Sequence, residues 1–183
     1  MRIKNITENS EIQELYIIMM NPNLQADYAT PVSIDGIDAF KSWLNYKIDN
    51  VFIEFRLLSD DYGHVLGFMY GYEANCKLEH ISVCVVIDEK VQNKGIGAIV
   101  ALSYENYLFS SCGYGKLYLH IFSFNQRSLM NNIAAGFEIE MILKEYKYFD
   151  GRFHDVFVLS IGREAFANKY KDIIRKMGVV VER

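Results

Sequence analysis

The chain has 183 residues, of which 51% are hydrophobic and 23% are charged, and its formal net charge is −4. This length and composition predict a single domain over residues 1–183 and exclude global disorder, because enough apolar surface is present to bury a core. The longest apolar run, Val83 to Ile87, has five residues, whereas a membrane helix needs roughly 20. The acidic charge, without any run of Lys or Arg, argues against a nucleic-acid partner.

Neither the first residues nor the cysteines indicate export. The opening stretch has no signal-peptide core, and Cys76, Cys84 and Cys112 form no CxxC pair, which is typical of free thiols in a reducing compartment. The four histidines show no pairing at metal-ligand spacing. We therefore expect a cytoplasmic protein with no metal and no membrane partner.

The first 50 residues predict two helices. Apolar residues at helical spacing predict a helix that ends near Met20, and the polar stretch from Asn21 to Thr30, bracketed by two prolines, predicts a break. A second helix is expected to begin near Ser33 or Asp35, either of which is a suitable N-cap, and to end near Asn50.

The remainder of the chain predicts alternating strands and helices. The predicted strands are 51–58, 65–72, 77–87, 116–122, 137–148 and 152–161, and the predicted helices are 95–111, 128–135 and 165–177. This order predicts an α/β fold with a mixed sheet. A crossover helix would join two central parallel strands, with antiparallel hairpins on either side.

The segment from Val85 to Ala98 carries the strongest chemical signal. A buried strand enters a turn with glycines at 95 and 97 and then opens a helix. Free backbone amides and the positive end of the helix dipole predict an anion site there, with phosphate or pyrophosphate as its guest. Gln92 and Lys94 would add donors. A helix cap in which the glycines serve only the turn is the alternative.

The spacing of these glycines excludes two nucleotide-binding loops. A Walker loop needs Gly-Lys-Ser/Thr, and a dinucleotide fingerprint needs a third glycine where Val100 stands. The remaining pattern, Gln-x-x-Gly-x-Gly after a strand, resembles the acetyl-CoA pyrophosphate loop of the GNAT superfamily of N-acetyltransferases.

Two later segments extend this resemblance to about residues 52–161. Asn125-Gln126-Arg127-Ser128, followed by Asn132 and Ala135-Gly136-Phe137, resembles the GNAT segment Asn-x-x-Ser/Ala, helix, Gly-Phe. The segment from Tyr148 to Val156 is similar to the terminal hairpin of the branch that contains ribosomal-protein and spermidine N-acetyltransferases.

The resemblance implies the GNAT acyl-CoA N-acyltransferase fold, with a central mixed sheet that splits between strands 77–87 and 116–122 and is flanked by helices. It implies that acetyl-CoA enters this split as cosubstrate. Main-chain groups of the first strand would pair with the pantetheine arm, at Val85, Val86 and Ile87. Backbone amides would hold the pyrophosphate, at Gln92, Asn93, Lys94, Gly95, Ile96, Gly97 and Ala98. Asn125 and Ser128 would lie by the pantetheine and the thiol.

The implied reaction is direct attack of a neutral amine on the thioester, with the Val86 amide polarising the carbonyl. Many relatives carry a Glu where Ser82 stands and a Tyr acid where Asn132 stands, so the base and the acid are open. Alternation places His80 and Ser82 on one strand face, and we predict a water relay from the amine through Ser82 to His80. A noncatalytic, partly exposed His80 is the alternative.

The acceptor would be a primary amine, such as a polyamine or other small amine, an amino sugar or a protein N-terminus. Residues 1–50 would form a helical segment on the acceptor side, and residues 162–183 a C-terminal helix. Several carboxylates could hold a second ammonium, namely Glu11, Glu14, Asp27, Asp35, Asp38 and Glu54; solvated helix ends and caps are the alternative.

A catalytically silent sensor or interaction module that binds acyl-CoA is the rival function. Exposed hairpin edges are compatible with a homodimer.

Overall fold

The structure is a computed structural model that describes residues 1–28, 34–75, 77, 79–92, 95–176 and 180–181. Within these residues eight strands form one mixed sheet, and their order across it is β6-β7-β5-β4-β3-β2-β1-β8. The strands are β1 (Arg2–Lys4), β2 (Ile53–Ser59), β3 (Val65–Asn75), β4 (His80–Ile87), β5 (Lys116–Phe122), β6 (Glu138–Phe149), β7 (Arg152–Gly162) and β8 (Val180–Val181).

Helices cover both faces of this sheet. They are α1 (Asn9–Met19), α2 (Pro22–Tyr28), α3 (Ile37–Asn50), α4 (Ile96–Ser110), α5 (Gln126–Ala135) and α6 (Arg163–Ile174). One face buries Leu15 of α1 and Phe40 of α3, and the other buries Tyr104 of α4 and Phe166 of α6. The α/β prediction is confirmed, and a core on each face explains why the central strand β4 is apolar almost throughout.

Most predicted elements lie within a few residues of the observed ones, and the predicted strand 116–122 matches β5 at both ends. The first helix ends near Met20 as predicted, but the polar stretch after it is not free of helix, because Pro22 opens the short helix α2, as its fixed φ allows at a helix start. The start of α3 is also different: Gly36 is its N-cap, without a side-chain cap, and Ser33 lies outside the described residues. The short strands β1 and β8 were not predicted.

The two central parallel strands separate soon after they meet. β4 and β5 pair only from His80 to Ser82, opposite Lys116 to Tyr118, although both strands continue for several residues. Beyond these pairs the strands diverge, with α4 and α5 beginning at the open end. The predicted split in the sheet is therefore confirmed.

The long hairpin of β6 and β7 forms one edge of the sheet. Nearly every residue of β6 is exposed, and apolar side chains such as Ile139, Met141 and Ile142 reach solvent. The predicted homodimer stays a prediction, as does the single-domain boundary.

Three smaller predictions also concern the fold. Among the described residues, no helix is both long and apolar enough to cross a membrane, and no group of His, Cys, Asp and Glu could hold a metal ion. Cys84 and Cys112 are free thiols, as expected, and Cys76 lies outside the described residues.

Glu11 fixes the start of α1 to the sheet. Its carboxylate accepts hydrogen bonds from the backbone N–H groups of Thr7 and Glu8 at 2.8 and 3.0 Å and pairs with Lys4 of β1. Burial alone would raise the pKa of this carboxyl, but Lys4 and the two amides outweigh burial and hold the pKa below its usual 4.5.

We expect Glu11→Gln to lower the free energy of unfolding at neutral pH by about 1–3 kcal/mol, because the amides and Lys4 lose a charged partner. Since the folded-state pKa is depressed, this stabilisation is complete above the unfolded value and is lost as the pH falls through the folded one. Urea unfolding at about pH 7 and pH 3 measures the difference, with the exposed Glu164→Gln as control. A difference independent of pH would contradict this assignment.

Candidate active site

A cavity of about 990 Å³ passes through the sheet where β4 and β5 separate. Its lining includes Val83 and Val85, which face α4, and also Cys84 and Val86, which face α1 and α3. The cavity therefore connects the two faces of the sheet through the split.

The start of α4 forms one end of this cavity. The strand β4 is followed by a 3-10 turn, Glu89–Val91, and α4 then begins after Gly95, whose φ of 73° is in the left-handed region that glycine adopts without strain. Gly95, Gly97 and Ala98 line the cavity. The first amides of a helix have no partner within it, so this end can bind an anion. Ile96 packs against the core, and Asn93 and Lys94 lie outside the described residues.

Gln92 and Arg127 join the two helix starts across the cavity. The Gln92 side chain donates to the Ile87 carbonyl at 2.9 Å and accepts from the Arg127 guanidinium at 2.9 Å. Both residues line the cavity. The arrangement places a cation beside the start of α4, and the sequence analysis had assigned no role to Arg127.

The predicted pair Asn125 and Ser128 lies at the start of α5. The Asn125 side chain accepts from the Ser128 amide at 3.1 Å and so caps the helix. Asn132, one turn further on, donates its side-chain amide to the Ser128 carbonyl and hydroxyl oxygens. All three residues line the cavity, with the Asn125 oxygen engaged in capping. That Asn125 and Ser128 lie by the pantetheine and the thiol stays a prediction.

The pairing of β4 with β3 decides which main-chain groups face the split. The Asp88 amide donates to the Leu66 carbonyl at 2.8 Å, and the register continues without a shift to the pair Phe68 and Val86. Because hydrogen-bonded pairs alternate in antiparallel strands, Val86 directs its N–H and C=O toward β3. Val85 and Ile87 direct theirs toward the split, and their pairing with the pantetheine arm stays a prediction. The prediction for the Val86 amide is wrong for this reason.

The opposite side of the sheet forms a second compartment, which we call the acceptor chamber. Its walls are mainly aromatic, and polar groups lie among them; the lining residues are Trp43, Lys47, Phe52, Tyr70, Tyr72, Glu73, Cys84, His120 and Tyr146. Phe52 packs on Tyr70 with ring centroids 4.1 Å apart, and Tyr70 contacts Tyr72 at 6.0 Å.

A hydrogen-bonded pair of side chains borders the acceptor chamber. The Tyr72 hydroxyl is 2.9 Å from His120 Nδ1, and Tyr72 lies opposite Ser82 in the pairing of β3 with β4. Burial lowers the pKa of His120 below the ordinary 6.5, although the Glu73 charge opposes this effect, so the imidazole is neutral at neutral pH. Burial likewise raises the pKa of Tyr72.

His80 lies elsewhere. It packs edge-on against the Tyr118 ring, 5.6 Å between centroids, where β4 and β5 are still paired. Neither His80 nor Ser82 is among the residues that line the cavity. Among the described residues, the histidine that lines the cavity is His120, which bonds to Tyr72 and which no sequence motif had indicated.

Three of the carboxylates considered for an acceptor have structural roles. Glu11 caps α1, Glu14 accepts from the Val65 amide at 2.5 Å, and Glu54 pairs with Arg56 at 2.7 Å. Asp35 and Asp38 are exposed and outside the cavity lining, and the side chain of Asp27 is not described. Among the described residues, the carboxylates that line the cavity are Glu73 and Glu105.

Comparison with known proteins agrees with this architecture. The spermidine N-acetyltransferase from Vibrio cholerae, solved in complex with CoA and spermine, superposes with a TM-score of 0.80 at 20% identity, covering 91% of this chain and 98% of that one. The same enzyme in complex with manganese ions gives a TM-score of 0.73 at 19% identity, covering 91% and 96%. At this identity the likeness establishes the fold, and no curated protein sequence matches the chain.

The family follows from a sequence model. The model of the acetyltransferase (GNAT) domain matches residues 3–158, which is most of the chain. The chain thus belongs to the GNAT acetyltransferases, enzymes that transfer the acetyl group of acetyl-CoA to an amine.

Proposed function

We propose that this protein acetylates a primary amine of a small diamine or polyamine, by direct attack on acetyl-CoA in a ternary complex. One observation carries the proposal: a continuous cavity joins the amide-bearing start of α4 to the acceptor chamber through the split in the sheet. An acetyl donor held at one end and an amine held at the other would meet where β4 and β5 separate.

The donor half would be held mainly by backbone. The amides from Gly95 to Ala98 are suited to the pyrophosphate of CoA, and Arg127 adds a positive charge at the same end. The predicted contributions of Gln92, Asn93 and Lys94 stay predictions. Val85 and Ile87 present main-chain groups to the split and would pair with the pantetheine arm. In this arrangement the Val85 N–H is the donor that polarises the thioester carbonyl.

His120 is suited to accept the proton that the attacking amine loses. When Nδ1–H donates to the Tyr72 oxygen, Nε2 carries a lone pair, and the lowered pKa keeps the ring neutral. Tyr72 fixes the orientation of the ring, as second residues of catalytic pairs commonly do. The earlier relay through Ser82 to His80 remains the competing assignment.

Direct transfer is favoured over an acetyl-enzyme intermediate. Cys84 is the cysteine that lines the cavity among the described residues, and burial raises the pKa of its thiol to about 11. Because the thiolate is the nucleophilic form, this thiol is unreactive at neutral pH.

The acceptor chamber suits an organic cation. Its aromatic faces attract ammonium groups, and Glu73 offers an exposed carboxylate beside them. A diamine or polyamine could place one neutral amine at His120 and a second, charged amine near Glu73. The polyamine bound to the Vibrio cholerae relative supports the same class of acceptor.

Thiol release from acetyl-CoA tests the proposal directly. Purified protein is assayed against diamines, spermidine, spermine, amino sugars and peptides with free N-termini, and CoA binding is measured in parallel by calorimetry. Turnover restricted to linear diamines and polyamines supports the proposal. CoA binding without turnover on any amine would instead favour the silent acyl-CoA-binding module.

Arg127→Gln should weaken CoA binding about 5- to 10-fold, because one charge-assisted contact of about 1 kcal/mol is removed. The wild-type affinity should also fall more steeply with added salt than that of the variant. Calorimetric titration with CoA measures both effects. Arg175→Gln, an exposed change at the end of α6, serves as the control, and equal affinities for all three proteins would refute the role of Arg127.

His120→Gln should lower kcat by about 100-fold or more, as expected for loss of a general base. In the wild type the rate should rise with pH through the pKa of His120, so the acidic limb should lie below the ordinary imidazole value of 6.5. Parallel measurement of His80→Gln decides between the two histidines. If kcat fell only in His80→Gln, the general base would be His80, at the end where β4 and β5 are paired.

Glu73→Gln should raise KM for a diamine about 2- to 5-fold, because an exposed ion pair contributes less than about 1 kcal/mol. KM for a monoamine of the same carbon length should not change, since it has no second ammonium. Steady-state kinetics with both amines measure the contrast. Equal effects on the two substrates would show that Glu73 does not select a second charge.

A further inference from the structure

A second buried carboxylate lines the cavity on the side opposite the acceptor chamber. Glu105 of α4 is 5% exposed and borders the cavity together with Ala101 and Leu102. Gly97, at the start of α4, borders Ile87 at the open end of the split. With a rise of about 1.5 Å per residue, Glu105 lies about 12 Å further along the helix. Since the crossover helix runs antiparallel to β4, Glu105 lies toward the closed end of the split.

The carboxyl group of Glu105 has no protein partner that compensates for its loss of hydration. Among the residues that the structure describes, none pairs with it or donates a hydrogen bond to it. The titratable group that interacts with it is Tyr170 of α6, whose hydroxyl donates to the Ala135 carbonyl at 2.6 Å. The cavity-lining residues of α5 after Ser128 are asparagines and alanines, and those of β4 and β5 on the α4 side of the sheet are apolar.

Desolvation therefore controls the protonation of Glu105. Burial raises its pKa to about 7, with no other contribution. A carboxyl group that borders a cavity and has no hydrogen-bond partner among the described residues is open to a bound substrate, and a shifted pKa at such a position is typical of functional groups.

The reaction also requires a proton donor for the leaving group. When the C–S bond of the thioester breaks, the sulfur departs as a thiolate, which a neighbouring acid group can protonate. Three polar side chains that line the cavity on the α4 side of the sheet are unsuited to supply this proton. Asn132 is an amide, Arg127 is too basic, and the Tyr170 hydroxyl donates its hydrogen to the Ala135 carbonyl.

We propose that Glu105 is the general acid that protonates the departing CoA thiolate, an inference that rests on the proposed acetyl transfer. The amine nitrogen bonds to the carbonyl carbon and loses its proton to His120. As the C–S bond breaks, the sulfur takes the proton of the Glu105 carboxyl, which becomes a carboxylate. Exchange of protons with solvent through the open cavity then restores neutral His120 and protonated Glu105.

This assignment predicts the alkaline side of the pH profile. Because Glu105 must be protonated, kcat should fall as the pH rises through its pKa of about 7. In Glu105→Gln we expect kcat to fall about 100-fold and the alkaline limb to disappear, with the acidic limb retained. CoA affinity of the wild type should decrease between about pH 6 and pH 8, whereas that of the variant should not.

Two further variants keep the test decisive. Glu105→Leu removes the buried carboxyl and should raise the melting temperature while abolishing turnover. Ser103→Ala changes a buried residue of the same helix whose hydroxyl bonds to the Ile99 carbonyl, outside the cavity lining, and should retain the wild-type kcat and pH profile.

The outcomes separate the two proposals. Wild-type kcat with an unchanged alkaline limb in Glu105→Gln would overturn the role of Glu105 while leaving acetyl transfer intact. Wild-type protein without turnover would reject acetyl transfer. In that case, if CoA affinity depends on pH in the wild type but not in Glu105→Gln, Glu105 would still be placed beside the thiol. If CoA affinity depends on pH identically in both proteins, the placement of Glu105 beside the thiol would be overturned.

Discussion

The separation of β4 from β5 is the constraint on which the rest of the site depends. Three residue pairs hold the strands together. Beyond them the main-chain groups of Val85 and the N–H of Ile87 face an opening instead of a neighbouring strand, while the Ile87 carbonyl accepts from the Gln92 side chain. Buried main-chain groups require hydrogen-bond partners. A substrate arm that carries amides can provide them, so the same split that interrupts the sheet creates a binding site for pantetheine.

The split also divides the chemistry between the two faces of the sheet. Strand alternation directs neighbouring side chains of β4 to opposite faces, and the cavity connects those faces. Burial lowers the pKa of His120 on one face and raises that of Glu105 on the other. At neutral pH the imidazole is therefore largely unprotonated while a substantial fraction of the carboxyl keeps its proton, an arrangement that suits concerted proton removal and proton donation.

The sequence was most informative where local patterns decide the structure. Strand β5 and the turn at Gly95 followed from hydrophobic periodicity and glycine positions, and the family resemblance came from short motifs in the same region. Helix α2 was missed because its proline was interpreted as a break, although proline is favoured in a first helical turn.

The catalytic details depended on contacts between distant segments. The direction of the Val86 amide is set by pairing with β3, anchored at Leu66. His120 gains its role from Tyr72, which another strand brings opposite to it. Glu105 occupies an ordinary position in the sequence of a helix, and its burial beside α6 gives it a shifted pKa. No local pattern specifies these three relationships, so the sequence alone favoured Val86 and His80.

The proposed reaction requires acetyl-CoA and the amine to occupy the cavity at the same time. Initial rates measured while the concentrations of acetyl-CoA and the best amine are both varied distinguish this ternary complex from a two-step transfer. Double-reciprocal lines that intersect would show the ternary complex that a continuous cavity through the sheet predicts. Parallel lines would show that CoA leaves before the amine binds, which requires an acetyl-enzyme intermediate and would contradict the account.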